Sequence, residues 1–138
     1  MFRSVWDMKP SYKSFEELEC WRAGREVRLF VFRQIRPILP FSERYRLADQ
    51  LVRASRSITA NIAEGYGRFH YLDNLRFCRI ARGSCTEVLD HLITTNDESM
   101  VSAELLDEGR QRIGTSLRLL NGYMAYLQRA GRSDPNNQ

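Results

Sequence analysis

The chain has few of the residues that interrupt or cross-link a fold. Its four prolines are Pro10, Pro37, Pro40 and Pro135, so the stretch from Phe41 to Asp134 contains none. A proline inside a helix removes a hydrogen bond and clashes with the turn before it, so this gap favours long helices. The three cysteines, Cys20, Cys78 and Cys85, cannot all pair, and none stands in a CxxC spacing. That argues against a disulfide framework or a zinc site and for a reducing cytoplasm. Histidine is limited to His70 and His91, and valine and isoleucine are scattered rather than alternating, so a sheet has little support. No segment reaches the roughly 18 apolar residues of a membrane span, and the N-terminus carries no apolar run of signal-peptide length. The expectation is a cytoplasmic protein with no membrane partner.

At 138 residues the chain has the size of one domain able to bury a core unaided. Its net charge is +4, and 19 of its 21 basic residues are arginine. Charge is segregated: residues 83–108 carry seven acids and no base. Arginine richness fits phosphate binding, but on composition alone a coding bias is the better explanation.

Four helices are predicted. Ser14-Phe15-Glu16-Glu17 has the form of a capping box, so the first helix is expected to start after Ser14 and to stop near Arg36. Ser42 is the next cap candidate, for a helix running to Gly65 or Gly67. A third is expected from about Tyr71 to Thr95, and a fourth from Ser102 to near Ala130. Residues 1–13 are expected to be a partly disordered extension, 14–131 the bundle and 132–138 a disordered tail. Apolar stripes recur at Leu47, Leu51, Ala54, Ile58, Ile62 and Gly65, at Leu75, Cys78, Cys85, Leu89 and Ile93, and at Leu106, Ile113, Leu117, Leu120, Met124 and Leu127. Short connections then give an all-α, antiparallel up-down-up-down four-helix bundle.

Apolar residues on the first helix spread over more than one core can hide. With Leu119, Tyr123 and Tyr126 on the fourth helix and Ala60 and Ala63 on the second, Phe30 and Val31 are candidates for an oligomer interface.

Three segments carry a family resemblance: Phe15-Glu16-Glu17-Leu18-Glu19-Cys20-Trp21, residues 53–68, and Leu75-Arg76-Phe77-Cys78-Arg79-Ile80-Ala81-Arg82-Gly83-Ser84 followed by Glu87. Together they resemble the four-helix-bundle proteins associated with intervening sequences of bacterial 23S ribosomal RNA genes, formerly described as an S23 ribosomal protein. The resemblance covers roughly residues 13–130. It implies a four-helix protomer and a homopentameric ring, and it implies no particular activity. Members usually carry proline where this chain has Thr59, whose presence should leave the helix straight. The bundle is also similar, at the level of fold, to the accessory proteins of diversity-generating retroelements, basic pentamers thought to bind nucleic acid.

Two constellations could carry function. Arg53, Ser57, Asn61 and Glu64 form a polar stripe with Gln50 and Arg68, read as structural: Asn61 and Glu64 bonded to a neighbouring helix or subunit and Arg53 paired with an acid. Arg68, Phe69, His70 and Tyr71 form the turn before the third helix, with Arg76 and Arg79 following, at the same end as Lys9, Lys13, Arg129 and Arg132. Arginines for phosphates beside aromatic faces for bases are what a single-strand or RNA binder needs. The acids Asp90, Asp97, Glu98, Glu104, Asp107 and Glu108 fall at the opposite end, where helix dipoles explain those on the fourth helix. His91 is expected to be solvated. No nucleophile–base pair or metal-ligand spacing is present, so neither catalysis, a metal nor another cofactor is expected. The expected function is a non-enzymatic homo-oligomer binding RNA or DNA electrostatically. The alternative is a structural module whose partner is another protein.

Overall fold

The computed structural model describes residues 14–134. Four helices form it: α1 (Glu19–Phe30), α2 (Leu47–Tyr66), α3 (Tyr71–Asp97) and α4 (Ala103–Ser133), with no strand among the described residues. Each helix packs on its neighbours in the chain, and α1 closes the ring of four against α4. This is the up-down bundle that the short connections predict.

The helix starts differ from expectation in an instructive way. The Ser14 hydroxyl accepts from the Glu16 amide at 3.2 Å, but the turn it caps is a 3-10 turn over Phe15–Glu17. Leu18 is then extended, and α1 begins at Glu19. Two contacts hold the preceding turn against the helix: Phe15 sits edge-on to Trp21 at 5.2 Å, and Arg22 Nε donates to the Glu16 carbonyl at 2.8 Å. Ser42 likewise lies in a 3-10 turn, Phe41–Glu43, and it is the Glu43 carboxylate that accepts from the Leu47 amide at 3.2 Å. Ser102 caps α4 as predicted, accepting from the Leu105 amide.

α1 continues through a wider π turn, Val31–Ile35, and a 3-10 turn, Arg36–Ile38, that accommodates Pro37. The wider turn keeps Val31 and Ile35 on the face of Val27, and all three are fully buried. Phe30 and Val31, expected at an oligomer interface, therefore belong to the protomer's own core, at 2% and 0% exposure. A side chain already covered by its own bundle has no surface left to present.

All six stripe residues of α2 are buried. On α3 the core seam is Leu75, Cys78, Ala81, Cys85, Val88, Leu92 and Thr95, whereas Leu89 and Ile93 are only half-buried. Repeated four-residue steps drift by about 40° each around a helix, so a straight seam needs steps of three and four in alternation. On α4 the buried row is Gly109, Ile113, Ser116, Leu120, Met124, Leu127 and Gly131, flanked by half-buried Leu106 and Leu117. α4 runs through Ser133, so Arg132 and Ser133 are helical and not part of a disordered tail. Gly131 explains the extension: a Cβ there would lie 3.3 Å from Leu72, so this last turn is packed on the start of α3.

Candidate nucleic-acid interface

The turn between α2 and α3 is built on a close approach. A Cβ on Gly65 would come within 2.6 Å of Asn74 Oδ1 and 2.9 Å of the Asn74 carbonyl, so only glycine lets the two helix ends touch. Gly67 remains right-handed, with φ of −74°, and its amide bonds the Ala63 carbonyl at 3.1 Å. His70 then turns extended and α3 begins.

Asn74, buried by this contact, spends its amide on both neighbours. Its Nδ2 donates to the Tyr123 hydroxyl at 2.9 Å, and its Oδ1 accepts from Cys78 Sγ at 3.5 Å. Burial pushes the Tyr123 phenol up to about 12, with the Asn74 hydrogen bond opposing it. Tyr123 stacks on Tyr126 at 6.3 Å, and both line a shallow cleft of about 260 Å³ together with Tyr66, Phe69, His70 and Tyr71. The signal for Asn74 was present in the sequence: it precedes Cys78 by four residues on the apolar side of α3.

At the rim, Phe69 is 87% exposed and meets His70 edge-on at 5.0 Å. Arg68 bonds Glu64 at 2.7 Å and lies 4.7 Å over the Phe77 ring. Arg76 is 3.6 Å from Asp73 and 5.7 Å from the same ring. Arg79 is exposed and makes no ion pair with a described residue. Five of the six candidate residues are thus gathered at the α2–α3 end, with Arg79 further along α3, and two of the three arginines already hold a carboxylate. Lys9 and Lys13 lie outside the described residues.

The polar stripe is bonded mainly within α2. Arg53 faces Asp49 at 3.3 Å, Glu64 faces Arg68, and Asn61 Nδ2 donates to the Ser57 carbonyl and hydroxyl at 2.8 and 2.9 Å. The link to another helix comes from α3, where Ser84 donates to Ser57 at 2.9 Å. Ala60 is exposed, Ala63 and Leu119 are half-buried, and Tyr126 is half-exposed.

His91 is not solvated as expected. Its side chain is 15% exposed, with Nε2 3.5 Å from Glu87. Glu87, one turn earlier on α3, sits alongside the ring. All three cysteines are buried free thiols; burial raises Cys20 to about 11, Cys78 to about 12 and Cys85 as well. Groups this reluctant to ionise are core hydrophobes, not nucleophiles. Among the described residues no group of three or more potential metal ligands converges, and no helix is long and apolar enough to cross a membrane.

What the fold and its surface define is a small all-helical bundle protein whose candidate site is a basic and aromatic end with a shallow cleft. The chain belongs to the 23S rRNA-intervening sequence protein family, whose sequence pattern matches residues 16–122. Among solved structures it is similar to a protein of unknown function from the S23 ribosomal protein family of Bacteroides thetaiotaomicron. The two share 16% identity at a TM-score of 0.70, covering 76% of this chain and 97% of that one. At that identity the likeness speaks for the fold. No curated protein matches the chain.

Proposed function

We propose that the protein is a non-enzymatic, cytoplasmic, self-assembling binder of RNA or DNA, acting through the end that carries Arg68, Phe69, His70, Tyr71, Arg76 and Arg79. The observation that carries this reading is Phe69, almost fully exposed beside arginines stacked on Phe77. An exposed aromatic face costs solvation in the free protein and is useful where an unpaired base can stack on it. The Arg68–Glu64 and Arg76–Asp73 pairs do not oppose the reading, because exposed pairs at this spacing contribute only about 0.3–0.5 kcal/mol and phosphates can displace them. Assembly into a ring would repeat this end around an axis and multiply weak contacts. Exposed Ile38, Phe41, Ile80 and Tyr126 supply apolar surface for such assembly.

The test is binding of the full chain to labelled single-stranded RNA, duplex RNA and DNA at about 50 and 200 mM salt, where phosphate contacts weaken strongly. Salt-sensitive binding that the Arg68→Glu/Arg76→Glu variant loses is the expected result. No binding to any of the three would remove this function and leave a protein partner as the alternative.

A further inference from the structure

The arginines without a carboxylate are concentrated elsewhere. Arg25, Arg28 and Arg36 on α1 and its continuation, Arg44 in the following turn and Arg56 on α2 make no ion pair among the described residues. Arg28, Arg36, Arg44 and Arg56 line two clefts between α1 and α2, of about 210 and 240 Å³, which share Phe32, Val52 and Arg56 as a common wall; Arg25 lies outside both, one turn before Arg28. The clefts therefore form one groove. Its single carboxylate, Asp49, faces Arg53 at 3.3 Å.

Arg28 is held in place by a neutral partner. Its Nη1 donates to Thr59 Oγ1 at 2.8 Å, and Thr59 is 3% exposed. A hydroxyl orients a guanidinium without neutralising it. Burial first, and then Arg25 and Arg56, lower the Arg28 guanidinium's affinity for its proton. Four positive charges without an ion pair on one groove repel one another in the free protein, and an anion would relieve that repulsion. Phe32 and Tyr45, 45% and 80% exposed, stand beside Arg36 and Arg44. From Arg28 to Arg36 the helical rise is about 12 Å, enough for more than one phosphate.

We infer that the α1–α2 groove is a second binding surface, taking the phosphodiester backbone of a single-stranded nucleic acid with bases stacked on Phe32 and Tyr45. The inference rests on the nucleic-acid reading above and assigns it a different surface. A second copy docked groove to groove is the poorer occupant, since that would set arginine against arginine.

The experiment measures anisotropy of a labelled, unstructured RNA oligonucleotide with the full chain from about 50 to 200 mM salt. The variants are Arg28→Gln/Arg56→Gln, Arg36→Gln/Arg44→Gln and Arg68→Glu/Arg76→Glu. Arg36 and Arg44 are exposed, so the second variant keeps the test valid if loss of the Arg28–Thr59 bond disturbs folding. Both groove variants are expected to bind about tenfold more weakly, with the slope of log K against log salt shallower by about 1.4, two single-strand contacts. Groove variants that bind like the wild type, while Arg68→Glu/Arg76→Glu does not, would overturn the groove and leave the function. An absence of RNA binding by the wild type would overturn both. Binding to anionic phosphatidylserine vesicles in place of RNA would also overturn the groove assignment.

Discussion

Asn74 sits where three demands meet: it packs under Gly65, donates to Tyr123 and accepts from Cys78. Tyr123→Phe removes the acceptor and leaves a buried amide donor unpaired, a loss of about 1–3 kcal/mol readable in urea unfolding at neutral pH. The pH dependence follows from the raised phenol. The folded Tyr123 keeps its proton up to about 12, whereas an unfolded tyrosine releases it near its ordinary value of 10.0. This group's stabilisation is thus complete below pH 10 and is lost as pH rises toward 12. The Tyr123→Phe variant should lose less stability than the wild type over that window, and equal losses would refute the assignment. Cys20 and Cys78, raised for the same reason, leave a residual alkaline dependence in both proteins.

At the scale of the element, α2 shows what a single substitution within a family does. Thr59 stands where members usually carry proline, and α2 is unbroken from Leu47 to Tyr66. Its hydroxyl bonds both the Arg56 carbonyl, at 3.4 Å, and Arg28 on α1. Thr59→Pro removes a helical amide and the Arg28 partner together. We expect a loss of about 3 kcal/mol or more, measured as a lower melting temperature, with Thr59→Val losing less because the helix stays whole. A Pro variant as stable as the wild type would mean that α2 already bends there in solution. The cross-link between α1 and α4 is of another kind. Arg112 lies 3.4 Å from Glu26, 3.0 Å from Glu108 and 5.4 Å from the Phe30 ring, joining the two helices through charge and stacking.

For the whole molecule, exposed apolar side chains remain after the bundle closes. Phe41 is 80% exposed, Tyr126 half, and Ile38 and Ile80 nearly half. We expect sedimentation of the purified chain to give an oligomer at micromolar concentration, with Tyr126→Glu weakening it if the α4 stripe takes part. A single monomeric species would reject assembly and with it the avidity in the proposed function. If both proposed basic surfaces bind nucleic acid, their contributions should be separable, because the arginines lie on different helix pairs. Charge changes at sites this far apart should add in free energy.

How far the sequence reaches can be judged element by element. The α2 stripe follows from spacing alone, since each of its six residues falls within reach of one face at 3.6 residues per turn. The same periodicity misplaced Leu89 and Ile93 on α3, because over 27 residues a small error in step size turns the seam off the core. Ser102 was legible as a cap, being a local bond between a side chain and the amide three residues on. Ser14 and Ser42 were not, because Phe15 on Trp21 and the Glu43 carboxylate, neither a matter of propensity, decide where α1 and α2 begin. The candidate residues 68–71 were legible as a turn and Asn74 left a signal in its spacing from Cys78, while the stacking on Phe77 and the unpaired arginines between α1 and α2 were not legible. Charge pairing depends on which carboxylate lies within reach in space. By itself the sequence determined that this is an all-helical bundle of a known family, since helix periodicity and breaker placement are local. Only the tertiary structure decided which arginines remain unneutralised and which apolar residues remain uncovered, because both depend on neighbours brought together from different helices.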